Sequence, residues 1–213
     1  MKLAKELTTA AIAILVLTVM LGVAYPLVMT AISQVAFPSK ADGSQVKVGG
    51  EVVGSSLIGK AFVLDTGKKD ADGNPITRPD PRYFQPRPSQ TDYSATSTAF
   101  SNRGPNSAVA RFFYRDHLDS YLALEGRYDP ALTRAKVPVD AVTTSASGVD
   151  PHISQANAGI QAHRIAAVRH LPLDRVDKLI ADNTDGRFLG VIGEAGVNVL
   201  ELNLALDKEA PAR

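Results

Sequence analysis

Cysteine and tryptophan are both missing from this 213-residue chain. Without cysteine no disulfide can staple the fold, and thiolate metal sites and cysteine nucleophiles are excluded. Aromatic residues make up only 6% of the sequence, too few for a stacking platform that would hold bases or sugars. Net charge is also scarce, at +1, so no strong field draws the chain to nucleic acid or to an anionic surface. No internal repeat is present. The absence with the largest consequence is local: between Leu7 and Ser39 there is no charged residue.

The most apolar part of that stretch runs from Ala10 to Ile32. As a helix it covers roughly 34 Å, enough to cross the hydrocarbon core at a tilt. A cleaved signal has a shorter apolar core, and here bulky residues (Leu21, Tyr25, Leu27, Met29, Ile32) continue past the middle. A buried soluble helix of this length would carry charge. We therefore read residues 10–35 as a retained transmembrane anchor, kinked towards its second end by Pro26. Lys2 and Lys5 lie before the span, and a short basic leader of this kind favours an N-terminus inside. On this reading residues 1–9 are cytoplasmic, and residues 36–213 form one extracytoplasmic domain.

That domain mixes element types. Gln45 to Gly54 alternates around Gly49-Gly50 and predicts a hairpin. Leu57-Ile58 and Ala61 to Leu64 read as a strand interrupted by Gly59. Residues 65–90, rich in Pro, Gly, Asp and basic residues, predict a long loop that Tyr83 and Phe84 pin back to the domain. A helix is expected from Ala108 to about Leu124, capped by Asn106 or Ser107 and stopped by Gly126, with Val109, Phe112, Phe113 and Leu122 inward. Val137 to Val142 reads as a short strand or an extended entry. A second helix runs from Gln155 to His170 behind a Ser154 cap, and a third starts near Pro172 with Val176, Leu179 and Ile180 inward. Leucines at 200, 202, 204 and 206 alternate with Glu201, Asn203 and Ala205, the period of a closing strand. The expected fold class is α+β: a single N-terminal transmembrane helix, then one mixed domain.

Three stretches imitate chemistry. Gly54-Ser-Ser-Leu-Ile-Gly59-Lys60-Ala61 follows the phosphate-loop spacing, but Ala61 stands where a magnesium-binding hydroxyl is required and no helix follows. Val63-Leu64-Asp65-Thr66-Gly67 resembles an aspartic-protease signature, with Val191-Ile192-Gly193 as its later apolar partner. One copy needs a homodimer to supply the second carboxylate, so the enzyme alternative is a membrane-anchored dimeric protease. Ser145, Ser147, Asp150 and His152 suggest a triad, yet they are neighbours on the chain and no Gly-x-Ser-x-Gly elbow is present. A turn leading into a Ser154-capped helix accounts for them. The four histidines lack metal spacing. His163, Arg164, Arg169 and His170 give the second helix a basic, solvated face. The span has no ionisable group besides Tyr25, so it forms no ion pathway alone.

Other residues carry a resemblance. Tyr25-Pro26-Leu27, Gly54-Ser55 with Leu57-Ile58-Gly59 and Phe62, Arg87-Pro88-Ser89, Ser101-Asn102 with Gly104-Pro105, and Val137-Pro138-Val139 running into Thr143 to Asp150 follow one pattern. Gln161, Arg164, Arg169, Gly186-Arg187 and Val197-Asn198-Val199 through Asp207 extend it. The chain resembles the C chain of the Kdp-type potassium-transporting ATPase, a complex of the bacterial cytoplasmic membrane. Lys60 departs from the family's usual Gln, and residues 65–80 look like an insertion. The resemblance implies a non-catalytic subunit that assembles with a potassium-selective, channel-like chain and a P-type ATPase chain. It also implies a chaperone-like effect raising the ATP affinity of the catalytic chain, so ATP enters only in complex. Residues it marks as related to partner or nucleotide are Ser145, Ser147, Gly148, Asp150, Gln161, Arg164 and Arg169, with Tyr25 and Pro26 at the membrane docking end. With the N-terminus inside, the domain faces away from cytoplasmic ATP, and a cap on the outer face of the potassium-selective chain is physically easier.

Overall fold

The computed structural model describes residues 2–99, 102–104 and 106–212. Ser101 and Pro105, both part of the resemblance, lie outside the described residues. The chain divides into two compact units, one reaching to Ser55 and one starting at Ser56. The hairpin that follows the long helix groups with the helix in the first unit.

In the first unit, α1 (Lys2–Val19) and α2 (Tyr25–Ala36) are joined by a π-helical turn, Met20–Ala24. Pro26 causes it. Its ring would press on the carbonyl four residues back, and it has no N–H to bond there. The wider turn resolves the conflict, and the Tyr25 N–H donates to the Met20 carbonyl. Together they form one 35-residue apolar helix, long and apolar enough to cross a membrane, with none of its most apolar window buried. A single helical turn, α3 (Pro38–Ala41), precedes the antiparallel pair β1 (Gln45–Val48) and β2 (Glu51–Ser55), the expected hairpin. Gly49 and Gly50 sit at φ +60° and +89°, which the tight turn demands.

The second unit packs helices on a small sheet. A polar hairpin comes first: β3 (Val63–Lys69) and β4 (Pro75–Pro79) pair antiparallel within the segment expected to be a structureless loop. Its two strands are almost wholly exposed, so no apolar alternation betrayed it. α4 (Ala108–Glu125) is capped by Ser107, whose side chain accepts the Ala110 N–H. Val109 and Phe112, expected inward, are 59% and 72% exposed, because the buried positions of α4 are Ala110 and Glu125 instead. Val137 to Val142 is not a strand. Pro138 caps a short 3-10 turn, Val139–Ala141.

β5 (His152–Ile153), α5 (Gln155–Arg169), α6 (Leu173–Asp182), β6 (Thr184–Asp185), β7 (Gly196–Asn198) and α7 (Val199–Glu209) complete the unit. The sheet order is β5-β7-β6, antiparallel throughout. Ser154 caps α5, and His170 ends it in a left-handed conformation. The closing element is thus a helix where the alternating leucines predicted a strand. Asn198 caps it by accepting the Glu201 N–H, and its buried residues include Val199, Leu202, Asn203 and Leu206, spaced i, i+3, i+4, i+7. The core gathers Ile153, Ala158, Ala162, Ile165, Val176, Val197, Leu202 and Leu206 around a ring from outside the regular elements, Phe84.

Candidate functional site

Residues 80–93 have no regular structure, yet side chains from several elements of the second unit bond to them. Asn203 on α7 and Gln161 on α5 treat this stretch as a strand treats its neighbour. The Phe84 N–H donates to Asn203 Oδ1 and its carbonyl accepts from Asn203 Nδ2, both at 2.9 Å. At the next residue, the Gln85 N–H donates to Gln161 Oε1 (2.7 Å) and its carbonyl accepts from Gln161 Nε2 (3.0 Å). Two side-chain amides thus satisfy two consecutive buried peptide groups.

Guanidinium groups hold the same stretch. Arg164 is completely buried. Its Nη1 donates to the carbonyls of Pro81 and Tyr83, its Nη2 to Gln161 Oε1, and its Nε meets both Glu125 oxygens at 3.0 Å. Burial pushes the Glu125 carboxyl up from its ordinary value, and the guanidinium opposes that push. Arg169 donates to the carbonyls of Arg82 and Ala210 and to Asp207, and lies 4.7 Å from the Tyr83 ring centre. The basic face expected on α5 is therefore not solvated at these arginines. Both point inward, because unpaired carbonyls of an irregular segment need donors.

The far end of the segment meets the turn between residues 143 and 152. Arg87 donates to the Thr144 carbonyl at 3.1 Å and pairs with Asp150 at 3.3 Å. Ser89 Oγ donates to the Gly148 carbonyl at 2.6 Å, and the Tyr93 hydroxyl donates to the Arg87 carbonyl. Inside the turn, Ser145 Oγ accepts the Gly148 N–H and Ser147 Oγ accepts the Val149 N–H. Gly148 has φ +74°, and a Cβ there would sit 2.5 Å from the Ala99 carbonyl oxygen. Gly59 is needed for the same reason of space: its Cβ would lie 2.6 Å from the Tyr93 ring. That explains the glycine of the false phosphate loop as packing.

Asp150 is the pivot. Burial pushes its carboxyl up, yet hydrogen bonds from His152 and the charge of Arg87 hold it below its ordinary value. His152 is raised, first by Asp150, against burial, and further by Asp185, whose Oδ2 is 3.1 Å from Nε2. These groups line a cleft of about 560 Å³ with Asp140, Glu194 and Gly196. The serines stand in the turn's own bonds rather than beside His152, which is the turn reading and not the triad. Among the described residues no three His, Asp or Glu side chains cluster as metal ligands.

Remote motifs thus meet on one segment: Gln161, Arg164 and Arg169 on its first half, Gly148 and Asp150 on its second, with Ser145 bracing the turn from within and Ser147 exposed there. A family model described as "K+-transporting ATPase, c chain" matches residues 7–208. The chain belongs to this family. Its relatives include the Potassium-transporting ATPase KdpC subunit of Caldanaerobacter subterraneus subsp. tengcongensis, 43% identical over 92% of this chain and 91% of that one. The subunit of the same name from Sorangium cellulosum is 44% identical over 95% and 97%. That of Bradyrhizobium diazoefficiens is 39% identical over 97% and 98%. The protease alternative finds no support in these matches. Asp65, Thr66 and Gly67 are exposed, and Asp65 Oδ1 accepts the Gly67 N–H inside the polar hairpin.

Sequence reasoning missed Glu125, Asn203 and Asn157, which takes hydrogen bonds from Tyr121 and Gln161. Asn203 carried a usable signal: it completes the helical set 199, 202, 203, 206. The polar hairpin carried another, Asp72-Gly73 at its turn, where Gly73 has φ +85°. Glu125 carried none, since its partner lies 39 residues away.

Proposed function

We propose that the chain is a non-catalytic accessory subunit of an ATP-driven potassium transporter, needed to assemble and stabilise the complex. The observation that carries this reading is the use of the chain's reactive-looking groups. Arg164, Arg169 and Gln161 are spent on holding residues 80–93, Ser145 on bracing its own turn, and among the described residues no buried side-chain nitrogen or oxygen lacks a partner. Such an interior holds its surface in one shape, which suits a docking body. Catalysis then resides in a P-type ATPase chain and ion selection in a channel-like chain. The domain lies outside the cytoplasm as a cap on the outer face of the channel-like chain, with α1 and α2 as a lateral membrane helix. Tyr25 and Pro26, beside the π turn, shape its docking end.

On this reading Ser147 and the 145–150 turn contribute contact surface, and Gln161, Arg164 and Arg169 act through the segment they hold. A rise in the ATP affinity of the catalytic chain follows as an effect of assembly, with ATP bound by that chain. Deleting this chain abolishes potassium-stimulated ATPase activity and the co-purification of the larger chains; an intact, active complex without it overturns the proposal. A C-terminal reporter active only outside the cytoplasm is expected to be active, and silence sinks the outer-cap topology. If Pro26→Ala leaves assembly intact, the π turn has no docking role.

A further inference from the structure

Between β6 and β7 the chain makes a closed apolar hairpin that nothing in the domain covers. Phe188 and Ile192 exchange backbone hydrogen bonds of 2.8 and 3.0 Å, and the Val191 N–H donates back to the Phe188 carbonyl. Leu189 and Gly190 turn the tip in left-handed conformations, at φ +52° and +78°. Phe188, Leu189, Val191 and Ile192 are 68%, 78%, 75% and 58% exposed. Four large apolar side chains are thus gathered on five residues, and internal bonds have already fixed the backbone beneath them. Little further ordering is needed when the tip is buried, which is the economy of a preformed binding element. Exposed apolar clusters of this kind mark interaction sites.

The surrounding charge selects the partner. A loop that enters an anionic lipid surface is normally flanked by several Lys or Arg, which draw it to the headgroups. Here one base and one acid flank the hairpin, Arg187 before it and Glu194 after it. Among the described residues neither forms an ion pair. Asp185, at the root, is shared with His152. The collar carries no positive excess, so nothing draws it to anionic headgroups. A convex apolar tip between two opposite, unpaired charges fits a concave protein surface that carries the reverse pair.

We infer that residues 187–194 are a docking knob that inserts into an apolar socket on another polypeptide of the transport complex, with an acid facing Arg187 and a base facing Glu194. The inference rests on the assembly role proposed above and names the surface that performs it.

The test co-expresses the full chain with its partner polypeptides and captures the complex through a tag on one of them. Phe188→Ser combined with Val191→Ser is expected to reduce the retained chain about tenfold, as loss of central apolar anchors does. Phe112→Ser, at an equally exposed site on α4, leaves retention unchanged. Glu194→Lys lowers retention at low salt, and added salt narrows the gap. A photo-cross-linking phenylalanine at Leu189, in an otherwise unaltered chain, is expected to capture a partner polypeptide. That arm decides the matter even if the double variant fails to fold. Full retention of a folded double variant, or capture only of lipid or of a second copy, overturns the knob and leaves the assembly role standing. Equal retention of Glu194→Lys at low salt overturns the charged rim. If the unaltered chain itself is not retained, the assembly role fails first and the knob with it.

Discussion

Along α1 and α2, side chains such as Ile14, Leu15 and Leu27 are more than half exposed. Along α5, Gln161 and Arg164 are as buried as Ile165 beside them. One helix of this molecule is apolar and uncovered, and the other is polar and enclosed. The usual link between polarity and burial fails for both, and for different reasons. The first helix satisfies its backbone internally and needs only an apolar solvent, as a membrane span does. The second faces an irregular segment whose peptide groups have no strand beside them, so polar side chains are its proper contents. Burial follows from what a surface must satisfy.

Substitutions that impose the ordinary rule test this contrast. Arg164→Ala leaves Glu125 buried without its partner and strips donors from the Pro81 and Tyr83 carbonyls. It is expected to cost about 3–5 kcal/mol in chemical denaturation of the full chain in detergent. Arg164→Lys should recover little, since one ammonium cannot span the positions of the guanidinium fork. In the other helix, Leu15→Arg should cost about 2.5–3.5 kcal/mol in membrane insertion, seen as loss of the chain from the membrane fraction. Asn203→Leu suits an apolar pattern yet orphans the Phe84 N–H and carbonyl. We expect a loss of about 1–3 kcal/mol in the same denaturation assay.

The smallest effect concerns pH. His152 is raised from its ordinary value of 6.5, so its link to Asp150 and Asp185 is fully stabilising below that value. The stabilisation is lost as pH rises through the higher folded value. Asp150, held low, contributes above its ordinary value of 3.8 and fails as pH falls through its folded value. A third of the His152 side chain is exposed, so the change across the histidine window is below about 1 kcal/mol. His152→Asn should flatten the melting temperature over that window, and an unchanged slope would show that the pair contributes nothing.

What could be read from the residues was what short range decides. The apolar span, the Gly49-Gly50 turn, the Ser107 and Ser154 caps and the start of α6 at Pro172 each depend on residues within one turn of each other. The failures share a cause. Leucines at 200, 202, 204 and 206 outvoted the helical set because its fourth member, Asn203, is polar and owes its burial to Phe84, 119 residues earlier. Arg164 reads as solvated in sequence because Glu125 and the carbonyls it serves lie 39 to 83 residues away. The β3–β4 hairpin escaped notice because its exposed strands have no apolar face to alternate. The resemblance marks seven residues, and the convergence of five of them (Gly148, Asp150, Gln161, Arg164 and Arg169) on residues 80–93 depends on contacts that no local window contains.

Pairing by side-chain amides also fixes an order of events. A strand can wait beside its neighbour in a nascent sheet, but Phe84 and Gln85 are held by groups 119 and 76 residues downstream. Such distant closures come late in folding, because the loop entropy must be overcome before the contact forms. Until Asn203 has been synthesised, the Phe84 peptide has no clamp and the core lacks its central ring. Cutting the chain short of its closing helix therefore removes both partners of the Phe84 peptide group along with the last apolar face of the core.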